Sequence, residues 1–157
     1  IAPSVSAMMS NPGFFTDKNV TRALRKIANK REVVRRDLMF VIKSGEIGGV
    51  GETTANYNLI SSTDDVSGYA AALTAMEKAA ASNGFADISV ALWGSVTSGD
   101  RAGTVMASVQ APTSERLGAF FDERQSSWMT DAMSKFNSIR TPVVDFMMQC
   151  TTLSVNN

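Results

Sequence analysis

Beyond residue 52 the apolar positions of the chain follow two periods in turn. Over residues 53–61 Tyr57 and Leu59 fall two apart, which predicts a strand. Ser62-Thr63-Asp64-Asp65 then supplies a cap and two acids suited to the positive end of a helix dipole. Val66, Tyr69, Leu73, Met76 and Ala80 recur at steps of three and four, the stripe of an amphipathic helix, and Asn83-Gly84 is its stop. Ile88, Val90 and Leu92 alternate with polar or small neighbours, Thr97-Ser98-Gly99-Asp100 turns the chain, and Val105, Ala107 and Val109 continue, which reads as a hairpin. Ala111-Pro112-Thr113 ends that strand and caps the next helix. The stripe Leu117, Phe120, Phe121 is separated from Trp128, Met129, Ala132, Met133 and Phe136 by the polar residues 122–127, predicting a long helix broken there. After Pro142, Phe146, Met148 and Cys150 alternate with Asp145, Met147 and Gln149 in a final strand running to about Val155.

Residues 53–155 therefore spell β-α-β-β-α-β, the split βαβ order. Right-handed crossovers bring such a chain into a four-stranded antiparallel sheet with both helices on one face. Leu73, Val90, Leu92, Val105, Phe121, Met133 and Phe146 are the expected core. Tyr57, Leu59, Trp93, Met106 and Met147 put large apolar groups on both strand phases, so the other face of the sheet is expected to have a partner.

The first third of the chain repeats the last. An offset of 109 places Ala2-Pro3-Ser4 on Ala111-Pro112-Thr113, Met8 on Leu117, Ala23-Leu24 on Ala132-Met133, Arg31 on Arg140 and Val34 on Val143. A one-residue slip then sets Asp37-Leu38-Met39-Phe40 on Asp145-Phe146-Met147-Met148. Leu38-Phe40-Ile42 and Phe146-Met148-Cys150 are thus expected at equivalent positions of two sheets, with Asp37 and Asp145 on the opposite phase. The predicted organisation is residues 1–46 as the closing helix and strand of a partial first unit, 47–52 as a Gly-rich flexible connector, and 53–157 as a complete unit. A lone helix and strand bury little, so the sequence starting at Ile1 is expected to be a fragment, or its first segment to dock on the complete unit or on another copy.

Composition narrows the chemistry. The absence of His excludes Ser-His-Asp and Cys-His nucleophiles, His-ligated zinc and His-ligated haem. The single Cys, Cys150, lies in a Met-rich apolar run and reads as a small buried hydrophobe. No metal site and no cofactor is expected. The net charge is zero but divides as +5 over residues 1–50 and −5 over the rest. The basic segment has little aromatic interleaving, so an acidic neighbour or plain solvation is the expectation and nucleic acid is not. No apolar run approaches the roughly 18–20 residues that span a bilayer, so no membrane span is expected and the cytoplasm is the expected location. Gly45-Glu46-Ile47-Gly48-Gly49-Val50-Gly51 lacks the Gly-Lys-Ser/Thr of a phosphate loop and precedes a strand rather than a helix, which leaves the connector reading.

The element order, the broken second helix and the closing strand after Arg140-Thr141-Pro142 resemble the dimeric α/β-barrel superfamily. This group of ferredoxin-like domains includes antibiotic-biosynthesis-type monooxygenases and NIPSNAP-like and EthD-like proteins. The resemblance covers residues 53–155 in full and 1–43 as a half-unit. It implies an α+β fold, a ferredoxin-like βαββαβ antiparallel sheet with helices on one face, of dimeric α/β-barrel type. In that superfamily two sheets pack face to face, and the cavity between sheet and helices can hold a small organic ligand or haem. Monooxygenase members often place polar groups and a Trp or His in that cavity. Asn56, Asn58 and Trp93 compare loosely with these, the His is missing, and no catalytic position carries over.

The candidate catalytic residues are Asp145 and Arg101, and the candidate ligand-binding residues are Asn56, Asn58, Trp93 and Trp128. The plainer reading of Asp145 is a solvent-facing or Arg-paired strand residue, and that of Trp93 and Trp128 a core or interface position. Two functions follow. One is a non-catalytic structural or interaction protein that self-associates through the open sheet face or with a missing N-terminal segment. The other is a small-molecule-binding or cofactor-independent monooxygenase-like enzyme using the sheet-helix cavity. A cavity lined by Asn, Asp, Arg and Trp together favours the second; one filled by Met and Phe favours the first.

Overall fold

The computed structural model describes residues 18–30, 38–46, 48–96 and 101–152. These fall into two compact units divided between Leu38 and Met39. On one side is helix α1 (Lys18–Ile27), continued by a 3-10 turn over Ala28–Lys30. On the other are β1 (Met39–Lys43), β2 (Thr53–Ser62), α2 (Val66–Ser82), β3 (Ser89–Ser95), β4 (Thr104–Ala111), α3 (Ser114–Asp122), α4 (Ser127–Ser134) and β5 (Thr141–Thr151). The expected turn at Thr97-Ser98-Gly99-Asp100, the alignment at residues 2–8 and 31–34, Asp37, and the run toward Val155 lie outside the described residues.

From β2 to β5 the chain has the ferredoxin-like βαββαβ order in an α+β fold. All ladders are antiparallel, and the strand order is β1-β3-β4-β2-β5, so β1 and β5 are its edges. Helices cover one face. Tyr69, Leu73 and Met76 of α2, Leu117 and Phe120 of α3, and Met129 and Ala132 of α4 are buried against Ala55, Val90, Leu92, Val105, Ala107 and Val109 of the sheet. Each large apolar side chain so buried stabilises by about 1.5–3 kcal/mol.

Local chemistry sets the helix ends where the sequence predicts them. Asp65 caps α2, its Oδ1 accepting from the Gly68 N–H at 2.7 Å, and Gly84 just past the helix takes a left-handed φ of 86°. The second helical segment is broken as expected. A 3-10 turn over Glu123–Gln125 ends α3, and Ser126 then caps α4 through the Met129 N–H.

Several expectations need correction. Leu73, Val90, Leu92 and Val105 are buried, but Phe121 is half-buried and Met133 and Phe146 are exposed, because no described layer covers β5 or the outer side of α4. Within the predicted connector, residues 48–52 form a hydrogen-bonded turn. Gly49 N–H donates to Glu52 Oε2 at 2.7 Å, Glu52 N–H to the Gly49 carbonyl, and Gly51 N–H to the carbonyl of Thr152 at the end of β5. The aligned strands β1 and β5 lie at opposite edges of one sheet, not in two, and on opposite phases. Phe40 is paired with Gly94 on the helix side, whereas Met148, which aligns with Phe40, is paired with Asn56 on the other side. Gly94 explains the difference: a Cβ there would overlap the Phe40 ring, so its missing side chain makes the slot that the ring fills.

Candidate functional site

The two phases of the strands divide the sequence-derived candidates between the two faces of the sheet. Across the face away from the helices run three rows: Ser89, Gln110, Asn56 and Met148; Ala91, Ser108, Asn58 and Phe146; Trp93, Met106, Ile60 and Val144. Asn56 and Asn58 are only 5% and 2% exposed. Asn56 Oδ1, Asn58 Nδ2, Trp93 Nε1 and Gln110 Oε1 are buried without a hydrogen-bond partner. Because these atoms are covered within the chain itself, a ligand reaches them only by displacing what covers them, and none of the described pockets brings these four side chains together.

The other candidates lie elsewhere. Trp128, on α4, stands beside the rings of Phe85 and Phe120, and its Nε1 donates to Glu123 Oε2 at 3.0 Å. Arg101 is in the turn before β4, where its carbonyl accepts from both the N–H and Oγ1 of Thr104. Asp145 is on the helix-side phase of β5, opposite Leu59. The structure thus brings Asn56, Asn58 and Trp93 onto one face and separates them from Asp145, Trp128 and Arg101.

The described space for a ring-sized ligand lies on the helix side. A cavity of about 160 Å³ is enclosed by Leu59, Leu73 and Ala107 from α2 and the sheet, by Met76, Met129 and Phe136, and at one side by Tyr57, Arg124, Met133 and Arg140. A neighbouring groove of about 270 Å³, sharing Phe121 with it, runs between α3 and β5 past Leu117, Gly118 and Met147. Of the three acids lining the larger cleft of about 530 Å³ beside the Gly-rich turn, two are in internal use: Glu52 holds the Gly49 N–H, and Asp87 takes the Arg116 guanidinium at 2.7–2.9 Å.

The charged side chains that line the smaller cavity are arginines, with Asp145 just behind Tyr57 and Asp122 3.9 Å from Arg124. Arg140 Nη1 donates to Tyr69 Oη at 2.9 Å and its guanidinium lies 4.4 Å from the centre of the Phe136 ring, which holds the cation flat against aromatic faces. Arg124 and Arg140 both line the cavity, and no carboxylate is among its lining residues. Tyr57 Oη donates to Asp145 Oδ2 at 2.8 Å. Burial, then the hydrogen bond to Asp145 and its negative charge, push the Tyr57 phenol up to about 12. A general acid or base works best near the operating pH, so Tyr57 serves at neutral pH as a fixed, neutral donor. Cys150, on the other face, has its thiol pushed up by burial, against a smaller opposing effect of the Asn56 side chain. Among the described residues no group of three His, Cys, Asp or Glu is placed to hold a metal ion.

The residues that matter here, Tyr57 and Arg140, carried only a structural reading in the sequence. Tyr57 was a strand position and Arg140 a repeat match. The available signal was the polar tip of Tyr57 on the apolar strand phase shared with Leu59.

No family model and no curated protein matches this sequence. Among solved structures the chain is similar to an anthrone oxidase-like protein, with a TM-score of 0.45 and 14% identity over 66% of this chain. The matched part spans 45% of that protein's length. A likeness of this degree says nothing of what the present chain binds. Among the described residues no helix is long and apolar enough to cross a membrane.

Proposed function

We propose that the protein binds a small, ring-sized organic molecule in the sheet-helix cavity, apolar in its body and carrying an oxygen function, a carboxylate above all, toward Arg140. The observation that supports this reading is the cavity itself: about 160 Å³ of space, walled by Leu, Met and Phe and edged by two guanidinium groups. An apolar cavity of about 150 Å³ accommodates benzene, so the size fits one ring. The lining combines the two kinds expected from the sequence, Met and Phe walls with Arg but without Asn or Trp. By its Met and Phe this lining is nearer the structural expectation; what favours binding is that the space is open rather than filled and carries two Arg side chains in its wall.

The test is a chemical-shift titration of the full chain with benzoate and with toluene. Benzoate is expected to shift the amides of Leu59, Met76 and Phe136. Ala107→Leu is expected to abolish those shifts, and Arg140→Gln to weaken benzoate while sparing toluene. No shift with either probe, or benzoate shifts that survive Ala107→Leu, would exclude the cavity as the site.

The dimeric α/β-barrel arrangement and the division at residues 46 and 53 stay within this proposal. Their support is β1, which runs antiparallel beside β3 at the edge of the sheet, as the closing strand of a preceding unit would. The interaction reading has its own observation, the strand β5, over which no described layer lies.

A further inference from the structure

The two edges of the sheet are built differently. β1 is five residues long, its register with β3 shifts between Val41 and Lys43, and it ends in a lysine; these features blunt an edge against pairing with other chains. β5 is eleven residues long; its Pro142 and a register shift at Val143 are confined to its first three residues, and from Val144 to Thr151 it is paired regularly with β2 and has, among the described residues, no strand on its other side. It also exposes Val143, Val144, Phe146, Met147 and Met148, with Met147 67% exposed. Its single charged side chain, Asp145, is engaged by Tyr57 of its own chain and does not guard the edge.

We propose that β5 pairs antiparallel with β5 of a second copy about a twofold axis at Phe146, joining two sheets into one. Three observations select a second copy as the occupant. Phe146 is the midpoint of β5 (Thr141–Thr151), so the register that sets the whole strand opposite its copy is centred on it, with Pro142, which has no N–H to give, left near the ends of the contact. In that register Asp145 faces Met147 of the other copy on both sides of the axis, and the strand's only charge never meets itself; like charges directly opposite would destabilise the pair. The Phe146 rings meet at the axis, Val144 faces Met148, and Val143 faces Gln149. The five apolar side chains expose roughly 500 Å² per copy, so roughly 1,000 Å² of such surface is available at or beside the contact, against the roughly 1,000 Å² that a specific interface must bury. A twofold contact of this kind closes on itself and leaves no free β5 edge for further growth.

Sedimentation equilibrium of the full chain tests the proposal. The wild type is expected at twice its 16.8 kDa chain mass at micromolar concentration. Phe146→Lys and Phe146→Glu, which set like charges face to face at the axis, are each expected at the single-chain mass, and an equimolar mixture of the two is expected to recover the doubled mass. A wild type that stays single up to several hundred micromolar overturns the proposal. So does a dimer that survives Phe146→Lys, which would put the contact elsewhere, such as on the polar face of the sheet. A mixture that fails to pair does the same. Should either variant fail to fold, amide exchange in the wild type decides: protection of β5 amides that falls on dilution supports the pairing, and protection independent of concentration overturns it.

Discussion

Tyr57 shows how one side chain can be polar and still belong to the wall of an apolar cavity. Its ring meets Phe121 edge to face at 5.1 Å, while its hydroxyl reaches Asp145 at the strand beside it. Because the folded chain holds the phenolic proton to about pH 12 against an ordinary value of 10.0, the native state binds that proton more tightly than the unfolded chain does. The resulting stabilisation is fully present below pH 10 and is lost as pH rises through about 12. An ultraviolet titration of tyrosinate should therefore show one step near pH 12 that Tyr57→Phe removes. Asp145→Asn should move the same step downward, since it deletes both the hydrogen bond to a carboxylate and the negative charge but not the burial. A Tyr57 step at the ordinary value in the wild type would mean that the hydroxyl is solvated and does not meet Asp145.

At the scale of elements, the junction of β1, β3 and α2 depends on one pair. Lys43 Nζ donates to Glu77 Oε2 at 2.8 Å and to the Val90 carbonyl, while Val90 N–H donates to Glu77 Oε1 at 2.8 Å. The pair thus satisfies backbone groups of β3 beyond the last ladder partner of β1. Glu77→Ala leaves the half-buried Lys43 ammonium with the Val90 carbonyl but no counter-charge, and takes the side-chain partner from the Val90 N–H, and should cost about 1–3 kcal/mol. Chemical denaturation would measure the loss, and faster exchange of the Val90 amide would place it; an unchanged Val90 amide would show that water replaces the carboxylate freely. No periodic pattern announces such a pair, because Lys43 and Glu77 are 34 residues apart and both look like solvated charges. The elements themselves were legible: the stripe from Val66 to Ala80 and the alternation in β2 to β5 put each helix and strand near its observed place. Alternation separates the two faces of a strand without saying what covers each. Hence Phe146 was expected in the core although no described layer lies over it. For the same reason the sequence assigns Asn56, Asn58 and Trp93 to a cavity that lies on the other side of their own strands. The pairing of Phe40 was hidden for a different reason, since it depends on a glycine in β3 that the sequence places 54 positions away.

For the whole molecule, the sheet-helix cavity sets stability against binding. Space of about 160 Å³ inside a domain of this size forfeits dispersion contacts that a filled core would make, so a chain that keeps it open is less stable than its fold allows. Ala107 is the place to test this. It is 5% exposed, lines the cavity from β4, and sits where a β-branched side chain suits the strand. Ala107→Val adds two carbon atoms directed into empty space, and at about 0.8 kcal/mol per buried methylene it should stabilise by up to about 1.6 kcal/mol. For a chain of this length that corresponds to a rise in Tm of roughly 2–6 °C. The same substitution narrows the space for a ring and should weaken benzoate in the titration that defines the site. The two readouts move in opposite directions only if the cavity is both real and used. A fall in Tm would show that the space is already filled by relaxation of the Met76 and Met129 side chains, while a rise in Tm with benzoate binding unchanged would show that the probe binds elsewhere, the groove between α3 and β5 being the next place to look.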